Sequence, residues 1–453
     1  MRLTRVERFL VILSAVFCFS FLPTHAFAQQ YIVDCTGNTP GAYTTINSVM
    51  PLLTNGSAVR ITGTCTENVT IPMLNNLNIG APWGQTMNLQ GNLNINGVQN
   101  LYLYGMNVTN PSGDGIDINN SSNVTLNTCT SSNNGNYGLS VSASGVSIQN
   151  TGAFNNNGND GINAGGITDL SFSWCAGPFS ISNNLGDGIY LEDGVMAAFG
   201  NLIISNNKIP PNTAQFPAST GGGFGIKFYG HARAVLYDAC APDVISGNQA
   251  GGVAIYEGSE ISISGAQDLP AGDSWGNIIS GNGPVGVTVG LGSQATFWNG
   301  VQITNHPDAG IDVFGHSQAF IEGTDQIANN GTGSPATYPA RAGVRVDGNS
   351  EAYIRGGQIS QNGGPGILAL ANSSVDISDT TFTSNLGGSI VCDSSAWLVG
   401  DPTSVPAPPF FALPCRVPNN FGPRFHPLSA PRIPDFSRIK AQEAQYQQLM
   451  SSF

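Results

Sequence analysis

Asp114-Gly115-Ile116-Asp117-Ile118 is a glycine-led alternation of apolar and polar residues, and it returns down the chain. It reads next as Tyr137-Gly138-Leu139-Ser140-Val141, Asp160-Gly161-Ile162-Asn163-Ala164, Asp187-Gly188-Ile189-Tyr190-Leu191 and Phe224-Gly225-Ile226-Lys227-Phe228. Later copies are Gly251-Gly252-Val253-Ala254-Ile255, Val285-Gly286-Val287-Thr288-Val289, Ala309-Gly310-Ile311-Asp312-Val313, Ala342-Gly343-Val344-Arg345-Val346 and Pro365-Gly366-Ile367-Leu368-Ala369, with a degenerate copy around Gly388. The glycine-to-glycine steps are 23, 23, 27, 37, 27, 34, 24, 33, 23 and 22 residues, a period near 22 with insertions. Each copy is joined to the next through an Asn-rich turn, such as Ser182-Asn183-Asn184 or Ser205-Asn206-Asn207, and a second short strand such as Val124-Thr125-Leu126.

Short alternating strands with Asn and Gly corners, repeated every 22 residues or so, predict an all-β solenoid, the right-handed parallel β-helix. Alternation directs Ile116, Ile162, Ile189, Ile226, Val253, Val287, Ile311 and Val344 inward, and the residue after each outward. Glycine is expected to supply a left-handed corner before each strand, and Asn to tolerate one and to hydrogen-bond along a ladder. A sandwich or barrel would favour hairpin turns and gives no reason for a fixed beat. Residues 29–75 read as the N-terminal cap and first coils, with a short helix from Thr44 or Thr45 carrying Ile46, Val49 and Leu53, limited by Pro51. The solenoid proper then spans 76–400, and 401–453 is a Pro-rich tail ending in an amphipathic helix through Phe436, Ile439, Tyr446 and Met450.

Composition removes several functions. Only 9% of the 453 residues are charged and the net charge is -13, so the basic footprint of a nucleic-acid binder is missing. Hydrophobic residues reach 40%, enough for a core, and the 58 glycines keep no three-residue period, which excludes collagen. Arg2, Arg5 and Arg8 precede an apolar run from Phe9 to Leu22, and Ala26-Phe27-Ala28 is a small-x-small site, so residues 1–28 read as a signal peptide. The run is too short to span a bilayer, no later run serves as a transmembrane segment, and the mature protein is expected to be secreted, extracellular or periplasmic, with net charge -15. The tail after Cys415 is +3, which leaves a body of -18; the tail is expected to fold back along that body, the alternative being that it attaches the protein to something anionic.

Export permits disulfides. Cys35 and Cys65 flank the cap helix and are expected to bridge it, and Cys392 and Cys415 to tie the tail to the last coil. Cys129, Cys175 and Cys240 remain; the last two sit in similar settings two coils apart, about 9.6 Å at one strand spacing per coil, beyond disulfide reach. All three read as buried core thiols, and no Cys and His spacing suggests a metal site.

The repeat, the Asn corners and the cap resemble the pectin-lyase-like superfamily of right-handed β-helix proteins, over about residues 76–400. That resemblance implies a secreted protein acting on or binding polysaccharide, since lyases, glycoside hydrolases, epimerases and depolymerases dominate the superfamily beside non-catalytic binding and surface proteins. The catalytic blocks of its polygalacturonase-like, pectate-lyase-like and mannuronan-epimerase members are absent. Arg438-Ile439-Lys440 is the one fragment to appear, in the tail and without companions, so no family catalytic residue carries over.

Chemistry must then come from the outward face, where neighbouring coils stack about 4.8 Å apart. Asn163, Tyr190 and Lys227 fall in one outward column, and Glu192, Tyr229 and Tyr256 in the next. Asp160 and Asp187 begin two of these strands, Arg233 follows a third, and the long step before Gly225 adds a loop around Pro210 to Gly223 as a wall. In a lyase, Lys227 or Arg233 would take the proton alpha to a uronate carboxylate while Asp160 and Asp187 held Ca2+. In a retaining hydrolase, Asp160 and Asp187 would serve as acid and nucleophile about 5 Å apart. Asn163, Tyr190, Glu192, Tyr229, Tyr256 and Arg233 would bind the sugar. Each assignment has a plainer competitor: Asp before Gly is turn chemistry, an outward Lys is a solvated charge, and stacked Tyr rings stabilise a sheet. His231 and His316 share a Gly-His-x-x-Ala setting and read as turn residues. The rival to a polysaccharide-acting protein is a non-catalytic cell-surface or matrix protein using the solenoid as a spacer.

Overall fold

A computed structural model describes residues 29–172, 177–210, 222–237, 241–265, 276–333, 341–400, 411–412 and 415–416. The signal peptide, Cys175, Cys240, most of the Pro210–Gly223 loop and the tail helix lie outside these residues.

All described strands belong to two parallel sheets that wind together as a right-handed β-solenoid. One sheet has 14 strands, one from each of fourteen coils, and the other has 26, drawn from the two remaining walls. In-register partners such as Leu93 and Ile116, Ile116 and Leu139, and Ile367 and Ile390 set an uninterrupted coil at 23 residues, and Val69 to Leu93 is 24. The period is thus slightly longer than the sequence suggested. The strand position in the last copy belongs to Ile390 with Ser389 before it, so Gly388 is not the equivalent glycine.

The inward residues form continuous columns. Ile116, Leu139, Ile162, Ile189, Ile226, Val253, Val287, Ile311, Val344, Ile367 and Ile390 are in register and all 0% exposed. Each such side chain is worth ~1.5–3 kcal/mol when removed from water, and β-branching suits the pleat.

Glycine's role at the start of the strand differs from the expectation. The strand-opening glycines are absent from the positive-φ set; the left-handed corner lies earlier in the coil, on Asn133, Asn156, Asn183, Asn206, Asn305 and Asn329, with φ of 57 to 64, and on Gly247 and Gly281, with φ of 67 and 59. Space is what demands glycine: a Cβ on Gly225 would stand 2.4 Å from Ile245 and 2.6 Å from the Gly252 carbonyl. The next residue after each of these corners is an inward Asn, except after Asn305, where it is His306. Asn134, Asn157, Asn184, Asn207, Asn248 and Asn282 form a ladder in which Nδ2 and the backbone N–H of one coil donate to Oδ1 of the next. A second run joins Asn330, Asn362 and Asn385, and fully buried His306 stands between the two.

No α-helix caps the N-terminal end. Residues 46–53 run as turns with one 3-10 turn at Met50–Leu52, because Pro51 brings no amide to extend it; Ile46, Val49 and Leu53 nevertheless plug the core as expected. The Glu67 carboxylate accepts the Ile46 and Asn47 amides at 2.6 and 2.9 Å. Disulfides join Cys35 to Cys65 and Cys392 to Cys415, and Cys129 is a buried free thiol pushed up to about 12 by desolvation.

Candidate functional site

Seven consecutive strands of the 14-stranded sheet are β1 (Ile162–Gly165), β2 (Ile189–Leu191), β3 (Phe224–Phe228), β4 (Gly251–Ile255), β5 (Val285–Val289), β6 (Ala309–Val313) and β7 (Ala342–Val346). Register places Asn163, Tyr190, Lys227, Ala254, Thr288, Asp312 and Arg345 in one outward column, continuing back to Asp117 and Ser140. Asp117, Ser140, Asn163 and Tyr190 are half-buried. From Lys227 the column turns inaccessible: Lys227 is 5% exposed, Ala254 0%, Thr288 9% and Asp312 5%. Lys227 therefore stands where a half-open polar shelf ends.

Asp160 and Asp187 open β1 and β2 and lie on adjacent coils. Asp160 Oδ1 accepts the Asp187 amide at 2.6 Å, and Asp187 Oδ1 accepts the Phe224 amide at 2.8 Å. Asp114 treats Tyr137 the same way at 3.0 Å, so corner capping is a recurring use of this position. Asn163 Nδ2 donates to Asp160 Oδ2 at 3.4 Å. Burial raises the pKa of both Asp160 and Asp187, their mutual repulsion raises Asp187 further, and the Lys227 ammonium opposes the rise in both. The ammonium lies 5.3 Å from the Tyr190 ring centroid. Burial and then the Glu192 carboxylate raise the pKa of Tyr190, whose hydroxyl is hydrogen-bonded to Glu192.

Other candidates are arranged differently. Glu192, Tyr229 and Tyr256 share the second outward column, continued by Gly290, Phe314 and Asp347. The Tyr229 hydroxyl donates a short hydrogen bond to Glu257, which raises its pKa. Tyr256 is 5% exposed and packs with Phe224, Ala254 and Phe314, so the two tyrosines do not present a paired face to solvent. Arg233 belongs to a strand of the larger sheet, is 63% exposed at its side chain, and pairs with Glu260 at 3.2 Å. It is not brought to Lys227. His231 and His316 occupy left-handed turns with φ of 66 and 65.

A second charged group escaped the sequence reading. Arg345 of β7 contacts Asp347 at 2.7 Å and Asp312 of β6 at 3.7 Å, and burial pushes the Asp312 carboxyl up to about 6 despite Arg345. Extending the Lys227 column by four coils would have found both residues.

A family model described as a right-handed β-helix region matches residues 90–268 and 271–402. Solved structures of similar fold include a pectate lyase, at TM-score 0.36 and 16% identity, covering 60% of this chain and 76% of that one. The A-module of an Azotobacter vinelandii mannuronan C-5 epimerase gives 0.40 and 14%, covering 80% and 87%. A Yersinia enterocolitica family 28 exopolygalacturonase gives 0.32 and 13%, covering 84% and 80%. No curated protein matches the sequence.

Proposed function

This chain belongs to the right-handed β-helix family and has the pectin-lyase-like fold, and on that premise we propose that it is an exported protein that binds and cleaves a uronate-containing polysaccharide on the outer face of β1–β3. One observation carries this reading. Lys227 points away from the core yet is only 5% exposed, so it is not the solvated surface charge that an outward lysine usually is. Burying an ammonium costs several kcal/mol unless it meets opposite charge. Asp160 and Asp187 supply part of that charge, and an anionic sugar arriving along the half-open shelf would supply more.

Elimination suits these groups better than hydrolysis. A retaining hydrolase needs a freely presented carboxylate nucleophile, whereas Asp160 and Asp187 each give Oδ1 to a backbone amide and are 6% and 3% exposed. In the elimination reading, Lys227 pairs with the uronate carboxylate and so acidifies the carbon beside it. Half-buried Glu192 takes that proton, the electron pair becomes a carbon–carbon double bond, and the glycosidic carbon–oxygen bond breaks. Tyr190, held neutral by its raised pKa, donates its proton to the leaving oxygen. Asp160 and Asp187 position Lys227 from the corner.

Calcium is the ion that a lyase of this fold would call for, but the Asp160–Asp187 pair suits it poorly. Each carboxylate is committed to an amide, burial favours its protonated form, and a lysine stands nearby. No step is therefore routed through calcium. Export is supported by the two disulfides.

The test is a panel of uronate and neutral polysaccharides, with and without calcium, followed by ultraviolet absorbance of unsaturated product and by new reducing ends. Unsaturated product lost in Lys227→Met and Glu192→Gln is the expected result. Reducing ends without unsaturation would replace elimination by hydrolysis. Retention without turnover would replace the cleavage reading by the non-catalytic one.

A further inference from the structure

The larger sheet carries one locally enlarged corner, in a coil whose whole length, 24 residues from Val69 to Leu93, is close to the bare repeat. Gly80 pairs with Tyr104 and Met87 with Met106, so six residues, 81–86, stand where the next coil has the single Gly105. The insertion is ordered by its own bonds: the Ala81 amide donates to the Tyr104 carbonyl at 3.0 Å, and the Gln85 amide to the Pro82 carbonyl at 2.9 Å. The Gly84 amide donates to the Tyr104 hydroxyl oxygen at 3.1 Å. At its tip Trp83 stacks on Tyr104, centroids 5.1 Å apart and planes 9° apart, and remains 66% exposed.

We propose that Trp83 is a sugar-binding platform, a second and non-catalytic saccharide site remote from Lys227. An isolated exposed apolar residue needs no explanation as such. This one is a rigid indole whose lower face is fixed against Tyr104 and whose upper face is free. A pyranose ring offers a flat face of C–H groups that fits an aromatic plane, and its equatorial hydroxyls need polar partners at the ring's edge. The strand leaving the insertion carries such groups: exposed Asn88 is bonded to Asn107 at 3.2 Å, and Asn107 to Thr130 at 2.9 Å, a row of amide and hydroxyl groups along the coils. A single exposed ring is too small for a protein interface, which needs a contiguous apolar centre. The loop would hold the polymer while the sheet face acts on it. This site rests on the polysaccharide reading but not on the catalytic one.

Affinity gel electrophoresis of the full mature chain through polygalacturonate, alginate and xylan tests it, with Trp83→Ala, Trp83→Tyr and Trp83→Leu beside Lys227→Met. Retardation by one of these polymers is expected, weakened about tenfold in Kd by Trp83→Ala and largely kept by Trp83→Tyr. Trp83→Leu still covers Tyr104 but lacks the flat face, so it too should lose retardation while thermal stability stays near that of the unsubstituted protein. Trp83→Ala should weaken retardation by the same factor in the Lys227→Met background as in the unsubstituted chain, because the two sites are separate. No retardation of the unsubstituted chain, retardation unchanged by Trp83→Ala, or retardation kept by Trp83→Leu would each overturn the proposal. So would a concentration-dependent dimer abolished by Trp83→Ala, which would make the ring a contact between copies. Turnover that survives Trp83→Ala leaves the catalytic reading intact even if this one fails.

Discussion

Asn207→Ala should open the solenoid locally, and its cost follows from the hydrogen bonds that Asn207 makes. The side chain is 0% exposed. Its Nδ2 donates to Asn248 Oδ1 at 2.8 Å and to the Ile181 carbonyl at 3.3 Å. Its Oδ1 accepts the Asn184 amide at 3.1 Å and Asn184 Nδ2 at 2.9 Å. Two partners keep a second bond after truncation, since Asn184 Nδ2 also meets the Phe154 carbonyl and Asn248 Oδ1 also meets the Asn207 amide. The Ile181 carbonyl keeps its bond to the neighbouring strand in the parallel ladder, so the Asn184 amide is the group left stranded, and one stranded buried group costs ~1–3 kcal/mol. In a solenoid each coil leans on its neighbours, so the loss should stay near the coils of Ile181 and Asn207 rather than spread along the axis. Hydrogen exchange read by mass spectrometry resolves this. Peptides over 179–187 and 202–208 should lose protection by roughly 30-fold, the factor for ~2 kcal/mol in the middle of that range, while 93–131 and 351–378 keep theirs. Asn206→Gly, at the exposed left-handed corner with φ of 57, should cost almost nothing. A change under about threefold at 179–187, or an equal loss in every coil, would refute the ladder account.

His306→Asn should complete the ladder and remove an acid weakness. Burial holds His306 down at about 4, so the unfolded chain takes up the proton first and stability falls as pH drops from about 6.5 towards 4; the loss is about 3 kcal/mol, and urea midpoints at pH 7 and 4.5 should converge in the variant. Asp160 and Asp187 act in the opposite sense. Their raised folded-state pKa values mean that stability declines as pH rises from the ordinary carboxylate range through those values, and Lys227→Met should steepen the decline by removing the opposing ammonium; an unchanged pH profile would place the ammonium out of electrostatic reach. Gly225→Ala should destabilise by ~1–3 kcal/mol through overpacking against Gly252 and Ile245, without backbone strain. A neutral effect in urea unfolding would show that the neighbouring coils yield.

The fold was legible because a solenoid repeats its physics. Ile226 and its equivalents had to be stacked and inward once the glycines recurred, and the alternation after each glycine put Lys227 and Asp312 on one outward column. What escaped was the reason for each residue type. Glycine and Asn both suit a left-handed corner, so the sequence alone could not divide the work; contacts between coils do, giving the corner to Asn206 and the crowded wall to Gly225. The expected N-terminal helix failed on Pro51 and on burial, since Ile46, Val49 and Leu53 plug the core equally well from irregular backbone. Around the candidate site, column membership was readable but accessibility was not. Nothing in the tyrosine spacing distinguishes half-buried Tyr229 from buried Tyr256, and nothing in Arg233 places it on the other sheet with Glu260.

Departures from the bare coil are informative because the coil itself asks for so little. Twenty-three residues close one turn, and coils of that length run from Leu93 to Ile162 and again from Val344 to Ile390 without interruption. The longer steps, of 27, 37, 27, 34 and 33 residues, fall between Ile162 and Val344, and the first three bracket Tyr190 and Lys227. Extra chain in a solenoid adds ordering cost without adding to the inward columns, and in repeat proteins such additions gather on the face that binds. The column in those coils also gives up the small polar residues of a solvated wall, Ser140 and Asn163, for Tyr190, a buried lysine and the Asp312–Arg345 pair. Buried charge is the feature that packing alone would remove first, because an apolar side chain there would be as stable or more so. Its retention on an outward face, in the coils that carry the insertions, is why the search for chemistry belongs at Lys227 and not along the regular coils on either side.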